Sequence, residues 1–154
     1  MTVIQKVCRS LDQSGVRYAL VGGHAVALHG AIRGTFDVDI VIHWSQSSLM
    51  KTEQALRSIG LKSRLPVTAI EVYKFRDEYV RNRNLVAWNF FNSQNPIEQV
   101  DIIITYDLKG KKRQRLDTAA GPVHVLNRKD LIEMKRQSGR PQDLEDVSAL
   151  ERLE

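Results

Sequence analysis

The stretch that decides the fold is Tyr18-Ala19-Leu20-Val21-Gly22-Gly23-His24-Ala25-Val26-Ala27-Leu28-His29, followed after seven residues by Asp37-Val38-Asp39-Ile40-Val41-Ile42. The first four residues are an apolar run of the kind that forms a buried strand. Gly22-Gly23 ends it in a turn where no side chain blocks the approach of a ligand to the backbone. The Ala- and Leu-rich residues from His24 to His29 suit a helix, whose unpaired amides would point back at the turn as a phosphate cradle. Residues 37–42 read as a second strand, and its alternation places Asp37 and Asp39 on one face. Two carboxylates so spaced can share a hard cation; Mg²⁺ takes one or two protein carboxylates and completes its shell with waters and substrate phosphates.

The rest of the chain reads as support for this unit. Residues 2–14 form an amphipathic helix ended by Gly15, with Cys8 on the same stripe as Val3, Ile4, Val7 and Leu11. Ser45 or Ser47 caps a helix running from about Gln46 to Ile59. Residues 67–80 carry an imperfect helical stripe, although Val, Thr, Ile and Tyr also favour strands. Residues 85–91 read as a strand, and Asn92 to Pro96 as a turn. Residues 99–104 form an almost wholly apolar strand around one acid, Asp101, which needs a partner or a metal if it is buried. Residues 123–126 make a short strand, Asn127 caps a helix from Arg128 to about Gln137, and a last helix starts near Pro141 with Leu144, Val147, Leu150 and Leu153 as its apolar stripe. The basic run from Asp107 to Asp117 reads as a solvated loop. Its place after the Asp101 strand also suits a phosphate chain or an RNA backbone, but no aromatic residue is interleaved for stacking. Trp44 and Trp88 read as core or edge packing.

Gly-Gly, thirteen residues, then Asp-Val-Asp-Ile resembles the signature of the nucleotidyltransferase superfamily, with its polymerase-beta-like fold. Through Arg33-Gly34-Thr35-Phe36-Asp37 the chain is similar to the small bacterial AbiEii-type toxin nucleotidyltransferases and the lincosamide-type and aminoglycoside-type enzymes. The resemblance implies an α+β fold, a small mixed sheet flanked by helices with further helices at the C-terminus. It implies Asp37, Asp39 and a third carboxylate, Asp101, as catalytic and metal-binding residues. Lys135 through Asp146 resembles the family's C-terminal signature, making Lys135 and Arg140 candidate phosphate contacts and Asp143 a candidate for orienting one of them. Gly22, Gly23, His24, Arg33 and Thr35 complete the candidate nucleotide site. The family usually has Gly-Ser where this chain has Gly22-Gly23, so a hydroxyl that could bond a phosphate is missing.

At 154 residues and 42% hydrophobic composition, the expectation is one domain with an ordinary core. A single cysteine excludes an internal disulfide and suits a reducing cytoplasm. No apolar run approaches the length of a membrane span and no signal-peptide pattern is present, so a soluble cytoplasmic protein without membrane contact is expected. The net charge of +5 favours anionic partners. The expected activity is Mg²⁺- or Mn²⁺-dependent transfer of a nucleoside monophosphate from an NTP to an acceptor hydroxyl. The other reading is a protein of the same fold that works by binding RNA or a partner protein, as a toxin-antitoxin component does. A homodimer that completes the acceptor pocket is a third.

Overall fold

The computed structural model describes residues 2–30 and 37–153. Its centre is a seven-stranded mixed sheet in the order β3-β4-β5-β2-β1-β7-β6. The central strands are β1 (Tyr18–Val21), β2 (Val38–Ile42), β5 (Asn95–Ile103) and β7 (Gly121–Leu126). β2 runs antiparallel to β1 and parallel to β5, while β7 runs parallel to β1. On one side β3 (Lys62–Ser63) and β4 (Ala87–Asn92) extend the sheet antiparallel, and on the other β6 (Arg113–Thr118) closes a hairpin with β7. β1 is buried along its whole length, as its continuous apolar run requires of a strand with neighbours on both edges.

Seven helices are described: α1 (Val3–Gln13), α2 (Gly22–Leu28), α3 (Gln46–Ser58), α4 (Ala69–Lys74), α5 (Arg76–Arg83), α6 (Arg128–Ser138) and α7 (Pro141–Glu151). None of them is long and apolar enough to cross a membrane. Thr2 and Gln5 form a capping box on α1, which buries Val7, Cys8 and Leu11 against α3 and β7. Asn127 accepts from the Lys129 amide to cap α6, and Gly139, at φ +66°, turns the chain into α7. The largest core side chain, Trp88, is fully buried and donates its indole N–H to Ser63 Oγ at 2.8 Å.

Four sequence expectations change. The helix after the first glycine turn starts at Gly22 rather than His24 and has only seven residues. Residues 67–80 split at Phe75 into α4 and α5, which accounts for the imperfect stripe; a Thr68–Glu71 capping box starts α4. The basic run is only partly a loop: from Arg113 it is the edge strand β6, where exposure on one side demands little apolar alternation. The stripe of α7 is rotated from the one read off the leucines. Leu144 is 50% exposed, while Asp143 and Asp146 turn inward beside Val147 and Leu150.

Candidate active site

The strand register builds the site. Val21 pairs with Asp39 across β1 and β2, and Asp39 pairs with Asp101 across β2 and β5. Residues directly opposite on neighbouring strands share a face, so the two carboxylates meet. Burial, then the charges of Asp101 and Asp37, push the Asp39 carboxyl from its ordinary 3.8 up to about 7, and a hydrogen bond with Asp101 works in the same direction. Lys135 opposes these effects. Asp37 lies just before β2, not within it, and is exposed.

Gly22 explains the tight approach of the turn to this pair. It sits at φ +70°, and a Cβ built there would overlap the Asp39 carboxylate. Gly22→Ala is expected to cost about 2 kcal/mol through backbone strain and to displace Asp39. Urea unfolding reads the first effect, and nucleotide binding below that of the parent reads the second. Gly23 is buried in the first turn of α2, and His24, half-buried, follows it. At two turns α2 has a small dipole, so ligand contact here would come from individual amides.

A second charged layer comes from α6 and α7. Lys135 is 7% exposed; its Nζ donates to Asp146 Oδ2 at 2.9 Å and lies 3.6 Å from Asp143 Oδ1. Arg140 Nε donates to Asp143 Oδ2 at 2.9 Å. Burial, the largest single influence, works to raise the Asp143 carboxyl, but bonds from Arg140 and the charges of Arg140 and Lys135 together outweigh it and hold the carboxyl below its ordinary value. Arg140, raised chiefly by Asp143, also feels the charge of Asp39, so this layer borders the carboxylate pair. Asp143 contacts both basic side chains, Lys135 and Arg140. Lys135 itself is committed to carboxylates. Arg33 and Thr35 lie outside the described residues.

Two contributors escaped the sequence reading. Asn89, opposite Asp101 on β4, donates from Nδ2 to Asp101 Oδ1 at 2.8 Å and to Gln99 Oε1 at 3.2 Å. Arg64 donates from Nε to Asn89 Oδ1 at 2.8 Å and lies 4.4 Å from the centre of the Phe91 ring. The sequence signal for Asn89 was a lone amide between aromatics in AWNFFN; its meaning depended on knowing the register of β4 against β5.

Among the described residues no group of three or more His, Cys, Asp or Glu side chains stands arranged as a metal centre. The donor chemistry nonetheless fits a hard divalent cation. Asp39 and Asp101 offer facing carboxylate oxygens, their repulsion is what a cation relieves, and Mg²⁺ needs only one or two carboxylates when phosphates supply the rest.

No family model matches the sequence, and no curated protein matches it. Solved structures do. An antigenic nucleotidyltransferase-like protein from Paracoccidioides brasiliensis superposes with a TM-score of 0.59 at 17% identity, over 96% of this chain and 73% of that one. The antibiotic-resistance factor ANT(2'')-Ia, solved in complex with adenylyl-2''-tobramycin, gives 0.59 at 13% identity over 96% and 85%. The lincosamide antibiotic adenylyltransferase LnuA, with lincomycin bound, gives 0.56 at 15% identity over 94% and 91%. The fold of this chain is that of the nucleotidyltransferases.

Proposed function

We propose that the chain is a metal-dependent nucleotidyltransferase that moves a nucleoside monophosphate from an NTP to a hydroxyl acceptor and releases pyrophosphate. The observation that carries this reading is the Asp39–Asp101 pair set by the β2–β5 register, with Gly22 leaving room beside it. The name of LnuA as an antibiotic adenylyltransferase, and the adenylyl-2''-tobramycin found with the antibiotic-resistance factor ANT(2'')-Ia, support it as analogy.

Asp37, Asp39 and Asp101 would hold Mg²⁺ or Mn²⁺. When bound, such a cation activates an acceptor hydroxyl and neutralises charge on the leaving phosphates. Asp101, oriented by Asn89, would accept or direct the proton of the acceptor hydroxyl. The amides of Gly22 and Gly23 would receive phosphate oxygens, with His24 and Arg140 as further nucleotide contacts; Arg33 and Thr35, outside the described residues, are proposed for the same role from the sequence alone. Lys135 would act through Asp143, Asp146 and the charge it places near Asp39, rather than by leaving its buried partners for a phosphate.

The test is pyrophosphate release from each of the four NTPs with Mg²⁺ or Mn²⁺, over a panel of aminoglycoside, lincosamide and RNA acceptors. Release that depends on metal and acceptor, and is lost in Asp101→Asn, is the expected result. Release unchanged in Asp101→Asn would refute the assignment.

A further inference from the structure

At the end of the sheet away from Asp39, two features that nucleotide transfer does not use come together. Trp44 follows β2 by two residues, and segment 107–112 follows β5; because β2 and β5 are parallel, both leave the sheet at the same end. Asp107 joins them, its Oδ1 accepting from the amides of Trp44 and Lys109, each at 2.9 Å. The Leu108 amide donates to the Ile42 carbonyl at 3.0 Å, and the Arg17 guanidinium donates to the carbonyls of Leu108 at 3.0 Å and Lys111 at 2.7 Å. The Lys-Gly-Lys-Lys run is therefore a fixed loop, turned at Gly110 with φ +75°, that leaves Lys109 and Lys112 exposed. Its one acid is occupied by backbone amides.

α4 and α5 supply the aromatic part. Tyr73 stacks on Trp44, with ring centres 6.3 Å apart and planes 24° apart, yet keeps 39% of its surface exposed. The Arg76 guanidinium lies 4.7 Å from the centre of the Trp44 ring and is anchored by a 2.6 Å bond from Nε to the Ile104 carbonyl. Among the acids on these helices, Glu71 serves the α4 cap and Asp77 and Glu78 occupy the first turn of α5, while Lys74 ends α4 and Arg81 and Arg83 end α5. The absence of aromatics within the basic run is thus made good in three dimensions.

We propose that this surface binds a single-stranded polynucleotide, with a base stacked on Tyr73, which Trp44 backs, and phosphates held by Lys109, Lys112 and Arg76. An exposed aromatic ring, Tyr73, beside fixed cations supplies the elements of single-strand recognition, because every unpaired base offers a face to stack and the backbone supplies regular charge. A duplex hides its base faces, and an acidic protein would use the lysines but not the rings.

The test is the anisotropy of a labelled oligouridylate titrated with the full chain at two salt concentrations, alongside tryptophan emission. Trp88 is fully buried, so quenching on binding reports Trp44. Expected are quenching, affinity that falls with salt, and about tenfold weaker binding for Tyr73→Ser. The triple change Lys109→Gln, Lys111→Gln, Lys112→Gln weakens binding at least as much and flattens the salt dependence. ATP with Mg²⁺ does not compete. The proposal is overturned by an absence of binding, by Tyr73→Ser binding as the parent does, by equal affinity for duplex RNA, by displacement with polyglutamate, or by competition from ATP. Since no NTP or metal takes part in the binding, failure here and failure of the transfer reading are distinguishable.

Discussion

Asp39→Asn is expected to make the protein more stable at pH 8 while lowering nucleotide transfer about 10³-fold, a loss equivalent to about 4 kcal/mol of transition-state stabilisation. The stability gain follows from the raised carboxyl. The folded Asp39 holds its proton up to about pH 7, whereas an unfolded aspartate releases it near 3.8. The native state therefore binds more protons than the unfolded state between those values, and stability falls as pH rises through them. The cost is full above pH 7 and disappears as pH falls towards 4. For this half-buried group, partly screened by solvent, it amounts to about 2 kcal/mol at pH 8, or about 5 °C in melting temperature. Asparagine carries no such cost. His124 pulls the other way: burial, then the Arg113 charge, lowers its pKa, so its contribution is lost as pH falls through 6.5 and below. Comparing variant with parent at each pH from 4 to 8 cancels His124. The gap should be widest at pH 8 and close near pH 4; a variant that melts at or below the parent temperature at pH 8 would show that burial and the neighbouring carboxylates do not penalise the ionised Asp39.

Lys135→Ala should cost about 3–5 kcal/mol, read as a fall in the urea midpoint with an unchanged slope. The side chains of Lys135, Asp143 and Asp146 are 8%, 5% and 3% exposed, so removing the ammonium takes a cation from buried carboxylates where water cannot replace it, although Asp146 still accepts from Gln142. Asp143 keeps Arg140. The double change Lys135→Met with Asp146→Leu is therefore expected to recover most of the loss, since it removes both members of the closest pair and leaves the remaining carboxylate its guanidinium. A loss below 1 kcal/mol in the single variant would mean that the α6–α7 contact is held by Leu131, Val147 and Leu150 alone.

What the sequence disclosed, and what it withheld, follow from the range of the interactions. The apolar run Tyr18–Val21 is a local pattern and forms β1 as read; of the Asp-x-Asp strand, Asp39 lies in β2 while Asp37 falls just before it, and the glycine turn already belongs to α2. Asp101 was conspicuous because an acid in an apolar strand needs a reason; its partner Asp39 became visible only through the β2–β5 register. Asn89 and Arg64 could not be found without that of β4 as well. On α7 the leucine stripe misled because a buried lysine draws Asp143 and Asp146 inward, and Leu144 is turned out in exchange. Trp44 and the lysine loop are more than sixty residues apart, and one carboxylate, Asp107, brings them together. Side-chain periodicity carries no information about such a contact.

The most direct measurement is calorimetric titration of ATP, GTP, CTP and UTP into the protein with and without Mg²⁺, repeated on the Asp39→Asn/Asp101→Asn variant. Micromolar binding of at least one nucleotide that requires Mg²⁺ and is lost in the folded variant is the predicted result. Absence of binding by all four, or binding that survives the loss of both carboxylates, would contradict the assignment of this site to nucleotide transfer.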